Sequence, residues 1–283
     1  MLGARLADVG LGPDVMEVDA WSQDAFEDIP WIGSGVDVIW LDQLTSWYRR
    51  QGFGRAAMAE LCMLADEHDC RIALNPCAQD HAYPGGLRQD EIERFYQSLG
   101  FGWRRDHVMV REPWTETVVN VLRDVRYQPT PNRSEFVLST TRTPRLLTST
   151  AFVVPVLDDG SVLMSVSLKP DRDLEIPGGH IEKGETQDEA AVREGVEEVG
   201  ARLGRLIPIG HQRMLSQGER PAAWSYPFPL AYQSFFAARA TSIDAYVENA
   251  ECAPPRIVSD FSVLKPHERL LAMRAVAAVK RAA

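Results

Sequence analysis

Glutamates crowd one short segment of the chain: seven of the seventeen residues from Glu182 to Glu198 are acidic. Glu194, Glu197 and Glu198 stand at positions i, i+3 and i+4, which places their side chains on one face of a helix. Like charges at this spacing repel each other, and they become favourable only where a cation lies between them. Hard divalent cations such as Mg²⁺ select carboxylate oxygens and often take substrate phosphates as further ligands. The segment therefore predicts metal-dependent chemistry on a phosphate compound, with a solvated acidic helix face as the alternative.

Short-range signals predict the helix that carries these glutamates. Thr186 stands three residues before Glu189, which is the spacing of a capping box. Gly200 is a good C-terminal stop. The helix is therefore expected over residues 187–199.

The faces of this helix follow from a rotation of about 100° per residue. Val192, Val196 and Val199 are expected to form a narrow apolar stripe, with the glutamates on the opposite side. Ala190 and Ala191 are expected on the glutamate side, where their small size leaves room for a ligand.

A longer pattern surrounds the helix. Gly178 and Gly179 precede it and allow the backbone to come close to a ligand. The pattern consists of Gly179, Glu185, Arg193-Glu194, Glu197-Glu198 and Gly200. It resembles the Nudix box of the Nudix hydrolases. Gly195 and Ala201 depart from it, because those two positions usually hold a bulky aliphatic residue.

The resemblance covers most of residues 115–283 and implies a Nudix α/β/α sandwich, a mixed sheet between helices. It implies that Mg²⁺ or Mn²⁺ is bound by Glu194, Glu197, Glu198 and the Gly179 carbonyl. It also implies that Glu185 pairs with Arg193 to brace the loop on the helix. Members of the family hydrolyse a diphosphate linked to another group, so the implied activity is pyrophosphohydrolysis of a nucleoside diphosphate derivative.

Two questions about this site stay open in the sequence. The general base is one of the helix glutamates or an acidic residue elsewhere, with Asp260, Glu251 and Glu248 as candidates. The aromatic residues Trp224, Tyr226 and Phe228 follow the box, and they either stack on a base or pack within the protein. His180 and His211 are expected to be structural rather than catalytic.

A second set of candidate residues lies in the first part of the chain. Arg49, Gly52 and Gly54 form an R-x-x-G-x-G stretch that opens a predicted helix. Glycines there let backbone N–H groups face a pyrophosphate, although an ordinary strand-to-helix turn has the same composition. Together with an F-Y-x-x-x-G-F stretch at 95–101, the motif resembles the GNAT acyltransferases over residues 36–112.

That resemblance implies acetyl-CoA or CoA as a cofactor of the N-terminal region. Its implied binding residues are Arg49, Arg50, Gln51, Gly52, Phe53, Gly54, Arg55 and Asn75. Tyr96 matches the family's general acid and joins Glu185, Arg193 and the helix glutamates as a predicted catalytic residue. Only 35 residues precede the region 36–112, where the family has further helices and strands that form much of the acceptor site. Acyl transfer and a non-catalytic binding or dimerisation module therefore both stay open.

The elements that must position these residues follow an α/β pattern. In the first part they are a strand at 36–44, a helix at 54–68, a strand at 71–75, a helix at 89–100 and a strand at 107–112. In the second part they are a helical piece at 115–125, a hairpin of strands at 150–157 and 161–168, strands at 211–217 and 231–240, and a helix at 266–283. The Asp159-Gly160 pair is expected at the hairpin turn. A boundary near Pro113 predicts a GNAT-like domain at 1–113 and a Nudix hydrolase domain at 114–283.

The composition of the whole chain narrows the function class. With 30 Lys and Arg against 40 Asp and Glu, the net charge of −10 argues against general binding of nucleic acids or anionic membranes. The four cysteines form no C-x-x-C pair, and the chain shows neither a signal peptide nor a long apolar run. We therefore expect a cytoplasmic enzyme that acts on a small nucleotide-like molecule. Whether the protein forms a homo-oligomer stays open.

Overall fold

The structure is a computed structural model that describes residues 16–22, 38–46, 51–77, 87–104, 107–170, 172–245, 247 and 251–283. The chain divides into two compact units, residues 1–119 and 120–283. The domain boundary expected near Pro113 stays a prediction. Among the described residues, none of the helices combines the length and the apolar character that a membrane crossing requires.

The first unit contains a mixed sheet and two helices in its described residues. Its strands are β1 (Met16–Ser22), β2 (Val38–Ser46), β3 (Arg71–Leu74), β4 (Gly102–Trp103) and β5 (Met109–Arg111), and its helices are α1 (Phe53–Glu67) and α2 (Gln89–Ser98). The sheet order is β1-β2-β3-β5-β4. Strands β2 and β3 run parallel because α1 connects them, whereas β1 and β5 pair antiparallel to their neighbours.

Apolar side chains from both helices and the sheet build the core of this unit. Met58 and Leu61 of α1 are almost fully buried and pack with Ile72 of β3 and Met109 of β5. The apolar residues that stand at helix and strand spacing in the sequence are the ones that pack in this core. The helices and strands predicted for residues 36–112 are therefore present in the structure.

Over its described residues, the second unit has a larger, curled mixed sheet and two α-helices. Its strands are β6 (Thr117–Arg123), which spans the unit boundary, β7 (Asn132–Leu138), β8 (Thr148–Val156), β9 (Val162–Ser167), β10 (Leu174–Glu175), β11 (Gly178–His180), β12 (Ala201–Leu203), β13 (Ile207–Ser216), β14 (Leu230–Ile243) and β15 (Cys252–Val258). Its helices are α3 (Gln187–Val199) and α4 (Pro266–Ala282). The path of the sheet is β10-β9-β8-β14-β13-β7-β6, and β11, β12 and β15 pair with β8, β14 and β9.

The helical piece expected at 115–125 is wrong, because β6 occupies that segment. Thr117 and Val119 are buried while Val118 and Asn120, which alternate with them, are partly exposed, and this is the period-two pattern of a strand. The β-branched residues of this stretch favour the extended backbone, and pairing with β7 overrides the helical periodicity.

The predicted hairpin of β8 and β9 is confirmed. Val156 pairs with Val162, and Gly160 adopts a left-handed φ of 85° at the turn. The Asp159 carboxylate accepts a hydrogen bond from the Ser161 N–H at 2.9 Å, which fixes the turn. The hairpin carries β8 into the centre of the sheet, where it pairs with the strand that precedes the acidic helix.

Candidate active site on the acidic helix

Helix α3 begins and ends where the capping signals predict. The Thr186 hydroxyl accepts a hydrogen bond from the Glu189 N–H at 3.2 Å, and the Thr186 N–H donates to the Glu189 carboxylate at 2.8 Å. Gly200 ends the helix with a φ of 66°, a backbone conformation that glycine adopts at no steric cost. The bounds expected from the sequence, 187–199, are confirmed.

The apolar stripe expected on α3 is wrong at Val192, whereas Val199 is buried as expected. Ala190 and Ala191 are fully buried against the sheet, whereas Val192 is 39% exposed. Ala190, Ala191 and Val199 thus face the protein interior, and the alanines do not leave room for a ligand.

A close approach of helix to sheet explains this reversal. A Cβ added at Gly195 would lie 2.9 Å from Leu203 Cδ1 and 3.2 Å from Val153 Cγ1. Only very small residues allow α3 to pack this near to β8. The glycine that departs from the Nudix box therefore has a packing reason in this chain.

A buried polar network holds the first turn of α3 on the sheet. The Gln187 amide donates to the Thr143 carbonyl at 2.9 Å and to the Thr148 hydroxyl at 3.1 Å. Its carbonyl oxygen accepts from the Ser234 hydroxyl at 3.1 Å. Because every member of the network is buried, these bonds fix the height of the helix, and hence of its glutamates, above β8 and β14.

The Arg193 guanidinium is the cation among the acidic side chains of α3. It donates to Glu185 at 2.9 and 3.2 Å, to Glu194 at 2.8 Å and to Glu197 at 3.1 Å. Its fourth partner is the backbone carbonyl of His180, at 3.0 Å. The hydrogen bonds from Arg193 lower the pKa of Glu185, and the same bonds raise the pKa of Arg193. Repulsion between the glutamates is thus partly cancelled by a residue of the same helix.

Glu194 and Glu198 differ from Glu197 in burial. The Glu197 side chain is 58% exposed and that of Glu194 only 13%. Burial raises the pKa of Glu198 to about 7, against a hydrogen bond of 3.2 Å from the Gly178 N–H. Burial also raises the pKa of Glu194, although Arg193 acts in the opposite direction. Two carboxylates therefore lie in a setting that resists their ionisation.

The two glycines of β11 let these carboxylates reach the backbone. A Cβ added at Gly179 would lie 2.3 Å from Glu194 Oε1. At Gly178 the added Cβ would lie 2.3 Å from Phe152 Cδ1 and 2.6 Å from the Ala151 carbonyl. Any side chain at either position would displace its neighbours, so β11 is a bare backbone edge against the helix glutamates.

The donor chemistry of this edge suits a hard cation. Carboxylate and backbone carbonyl oxygens are the ligands such ions prefer, and a positive charge beside Glu194 and Glu198 would favour their ionised forms. Within the described part of the chain, however, no three His, Cys, Asp or Glu side chains form a group that could hold a metal ion as they stand. Glu197 lies on Arg193 instead, so the full predicted metal set of Gly179, Glu194, Glu197 and Glu198 stays a prediction.

Two further residues touch the site and were not expected from the sequence. The Cys252 thiol lies 3.6 Å from Glu198 Oε1 as a donor, and the Ser165 hydroxyl donates to the Cys252 sulfur at 3.1 Å. Antiparallel pairing of β9 with β15 brings them together from positions 87 residues apart. No local pattern in the sequence signals such a long-range contact.

The candidate general bases have partners of their own. Asp260 caps a 3-10 turn by accepting from the Ser262 N–H at 2.9 Å. Glu251 forms an exposed ion pair with Lys169 at 3.1 Å. Glu248 lies outside the described residues. The described candidates thus show structural contacts, and the choice of base stays open between them and the helix glutamates.

The three aromatic candidates lie in one loop and are exposed or half-buried. Trp224 and Tyr226 lie in the loop between β13 and β14, where Tyr226 contacts His180, and Phe228 in the same loop is half-buried. His211 is buried on β13 with its ring edge toward Tyr232 at 5.5 Å, as its expected structural role requires.

The glycine motif of the first unit lies at the start of α1. Gly52 precedes the helix with a φ of 87°, and Gln51 and Gly52 are exposed while Phe53 and Gly54 are half-buried. Arg49 and Arg50 lie outside the described residues. Asn75 is exposed directly after β3.

Arg55 and Tyr96, two other residues predicted for this unit, contact its own fold. Arg55 donates to the Val118 carbonyl at 2.6 Å and to the Ser98 hydroxyl at 2.8 Å. The Tyr96 ring is buried between Phe95 and Phe101, and burial raises its pKa to about 12. Both side chains therefore have packing roles whether or not the unit binds a cofactor.

The second part of the chain is similar to a family of known proteins. Residues 147–268 match the model of the NUDIX domain. A Bacillus subtilis pyrophosphohydrolase is 22% identical, over 50% of this chain and 78% of that one, with a TM-score of 0.38. A MutT NUDIX hydrolase from Burkholderia pseudomallei is 20% identical, over 47% and 97% of the two chains, with a TM-score of 0.34. A NUDIX family hydrolase from Clostridium perfringens is 22% identical, over 48% and 97%, with a TM-score of 0.32.

No curated protein matches the chain. The family match lies wholly within the second unit and includes β11, α3 and β15, the elements that carry the site described above. Residues 147–268 of this chain form a NUDIX domain.

Proposed function

We propose that the chain is a divalent-metal-dependent pyrophosphohydrolase that cleaves a nucleoside diphosphate linked to another group. The observation that carries the proposal is the convergence of two poorly solvated carboxylates, Glu194 and Glu198, on the bare Gly178-Gly179 edge. Residues 147–268 being a NUDIX domain supports hydrolysis as the reaction class.

The proposed roles follow from the contacts of each residue. Glu194, Glu198, Glu197 and the Gly179 carbonyl would hold the metal, and Glu185 would keep Arg193 in place through its two hydrogen bonds. A bound divalent ion supplies charge neutralisation on the phosphates and lowers the pKa of a coordinated water. One acidic side chain of this chain accepts the proton of the attacking water.

Product release from a substrate panel tests the proposal. The panel consists of nucleoside triphosphates, nucleotide sugars, ADP-ribose, dinucleotides and CoA, each with Mg²⁺ or Mn²⁺. Glu197→Gln and Glu198→Gln should lose cleavage by about 100-fold or more, a loss typical of a removed charge-stabilising group. The matched control is Glu182→Gln, an exposed glutamate of the same segment, which should keep the wild-type rate. Cleavage that survives in both Glu197→Gln and Glu198→Gln would refute the assigned site.

A second candidate function concerns the first unit, which we propose as a GNAT-like domain over residues 1–113 that binds acetyl-CoA or CoA. The supporting observation is the left-handed Gly52 at the start of α1, the helix that connects two parallel strands, because the N-terminus of such a helix can bind a phosphate. Burial of Tyr96 within the core favours a binding module over an acyltransferase that uses this residue as general acid.

Calorimetry on the full chain separates these alternatives. Saturable heat with acetyl-CoA, together with transfer of the acetyl group to an amine, would establish a bifunctional enzyme. Heat without transfer would leave a binding module. Absence of heat with both acetyl-CoA and CoA would remove the cofactor from the proposal.

A further inference from the structure

Three aromatic rings form a cluster beside the proposed active site, and we refer to His180, Tyr226 and Trp224 as the aromatic cluster. The His180 and Tyr226 rings stack with centroids 5.2 Å apart and planes inclined by 21°. The Trp224 ring meets Tyr226 edge-on, also at 5.2 Å. His180 and Tyr226 are exposed, and Trp224 is partly so. The proposed hydrolysis uses none of the three side chains.

Backbone contacts tie this cluster to the residues of the site. His180 follows Gly179 directly in β11, and one residue of a strand advances the backbone by about 3.3 Å. The His180 carbonyl accepts the hydrogen bond from Arg193 at 3.0 Å, which links it to the same guanidinium that holds Glu194. His180 therefore connects the aromatic cluster to the backbone that carries the proposed metal ligands.

The cluster is also ordered internally. The Tyr226 hydroxyl and His180 Nε2 are hydrogen-bonded at 3.0 Å, and Trp224 Nε1 donates to the Pro227 carbonyl at 3.4 Å. Arg220 of the same loop donates to the Trp224 carbonyl at 3.0 Å. These contacts position the rings before any ligand arrives, which reduces the entropic cost of binding.

We propose that the aromatic cluster stacks on the nucleobase of the substrate, and the inference rests on the proposed function. Aromatic rings exposed at a surface gain from contact with another flat ring, and such stacking strengthens binding by about tenfold or more per base without regard to sequence. A base stacked on the aromatic cluster would lie one strand residue from Gly179, whose backbone carbonyl is a proposed metal ligand. Purine nucleotides should bind more tightly than pyrimidine nucleotides, because their larger ring system buries more area.

Calorimetric titration of the full chain in Mg²⁺ with two probes tests this proposal. ADP carries a base and a diphosphate, and inorganic pyrophosphate carries the diphosphate alone. Tyr226→Leu should raise the Kd for ADP about tenfold or more, with the Kd for pyrophosphate unchanged. Tyr226→Phe keeps the ring and should stay near the wild type. Trp103→Leu removes an aromatic ring of similar exposure in the first unit and should change neither Kd.

The outcomes separate this proposal from the hydrolase itself. If Tyr226→Leu weakens both probes equally, or leaves ADP binding unchanged, the aromatic cluster does not bind the base. If, in addition, the wild type cleaves the substrate panel and Glu198→Gln does not, the hydrolase stands without this base site. A wild type that binds neither probe and cleaves no substrate would overturn both proposals.

Discussion

The Gly178 N–H donates to the Glu198 carboxylate at 3.2 Å, across twenty residues of chain. The backbone of the three-residue strand β11 is thus hydrogen-bonded to the last turn of the acidic helix. The neighbouring glycine does the opposite, because Gly179 makes room for Glu194 rather than bonding to it. Two adjacent glycines therefore have separate roles, and mutation should separate them.

Alanine at Gly178 should damage the fold, whereas alanine at Gly179 should damage the reaction. The added Cβ at Gly178 would meet the backbone carbonyl of Ala151 at 2.6 Å, and backbone cannot yield cheaply. At Gly179 it would meet the mobile end of Glu194 at 2.3 Å and push that carboxylate aside. Thermal unfolding should show a loss of roughly 1–3 kcal/mol for Gly178→Ala and little for Gly179→Ala.

Turnover should follow the reverse order for these variants. Gly179→Ala should lose activity about tenfold or more while remaining folded, since small displacements of a catalytic group are costly. Gly54→Ala is the control, because its added Cβ meets nothing within 4 Å. Full activity in Gly179→Ala would contradict the place given to Glu194.

Cys252 should matter through its hydrogen bond to Glu198. The Cys252 thiol lies 3.6 Å from the carboxylate; Cys252→Ser keeps a donor at this position, whereas Cys252→Val removes it and keeps a small apolar side chain. We expect Mn²⁺ affinity, measured by the electron paramagnetic resonance of free Mn²⁺, to fall about fivefold in Cys252→Val, the value of one net hydrogen bond. The serine variant should bind like the wild type. Equal affinity in both variants would show that the thiol only fills space.

The buried ion pair of the first unit should dominate its stability. Asp66 and Arg111 are fully buried, lie 2.9 Å apart, and share further hydrogen bonds with Thr117 and the Trp114 N–H. Asp66→Ala should lower the free energy of unfolding by about 3–5 kcal/mol, because the guanidinium would stay buried without its counter-charge.

A double variant provides the control for this pair. Asp66→Leu combined with Arg111→Met replaces both charges by apolar groups and should recover much of the loss. Urea unfolding followed by circular dichroism gives both values. A single variant as stable as the wild type would mean that water reaches Arg111.

His267 should make the second unit sensitive to acid. Burial, assisted by the charge of Lys265, lowers its pKa from 6.5 to about 4, and its ring lies 4.6 Å from that of Phe136. Because the unfolded chain binds the proton more readily, stability is full above pH 6.5 and falls as pH drops toward 4. The loss should be on the order of 2 kcal/mol, less than the full shift because the side chain is partly exposed.

Unfolding midpoints between pH 7 and pH 4 measure this slope. His267→Phe keeps a ring against Phe136 and should flatten it. His68→Gln alters an exposed histidine of the first unit and should leave the slope unchanged. A slope that persists in His267→Phe would assign the acid sensitivity to other groups.

The sequence predicts the site best where its determinants are local. Capping by Thr186 and Gly200 depends on residues within one turn, and the bounds of α3 match the expectation. The buried face of α3 could not be predicted, because it depends on how near β8 comes to Gly195. The contact of Cys252 with Glu198 could not be predicted for the same reason, because it exists only once β15 pairs with β9.

Arg193 holds three glutamates and a strand carbonyl with one side chain. The acidic helix thus carries its own counter-ion in Arg193, and we expect it to fold without a bound divalent ion. Binding of the proposed metal would then be an exchange of partners, in which the metal competes with the Arg193 guanidinium for carboxylates that are already in place. A chelator should therefore abolish the proposed activity without unfolding the protein, and the activity should return when the divalent ion is added back.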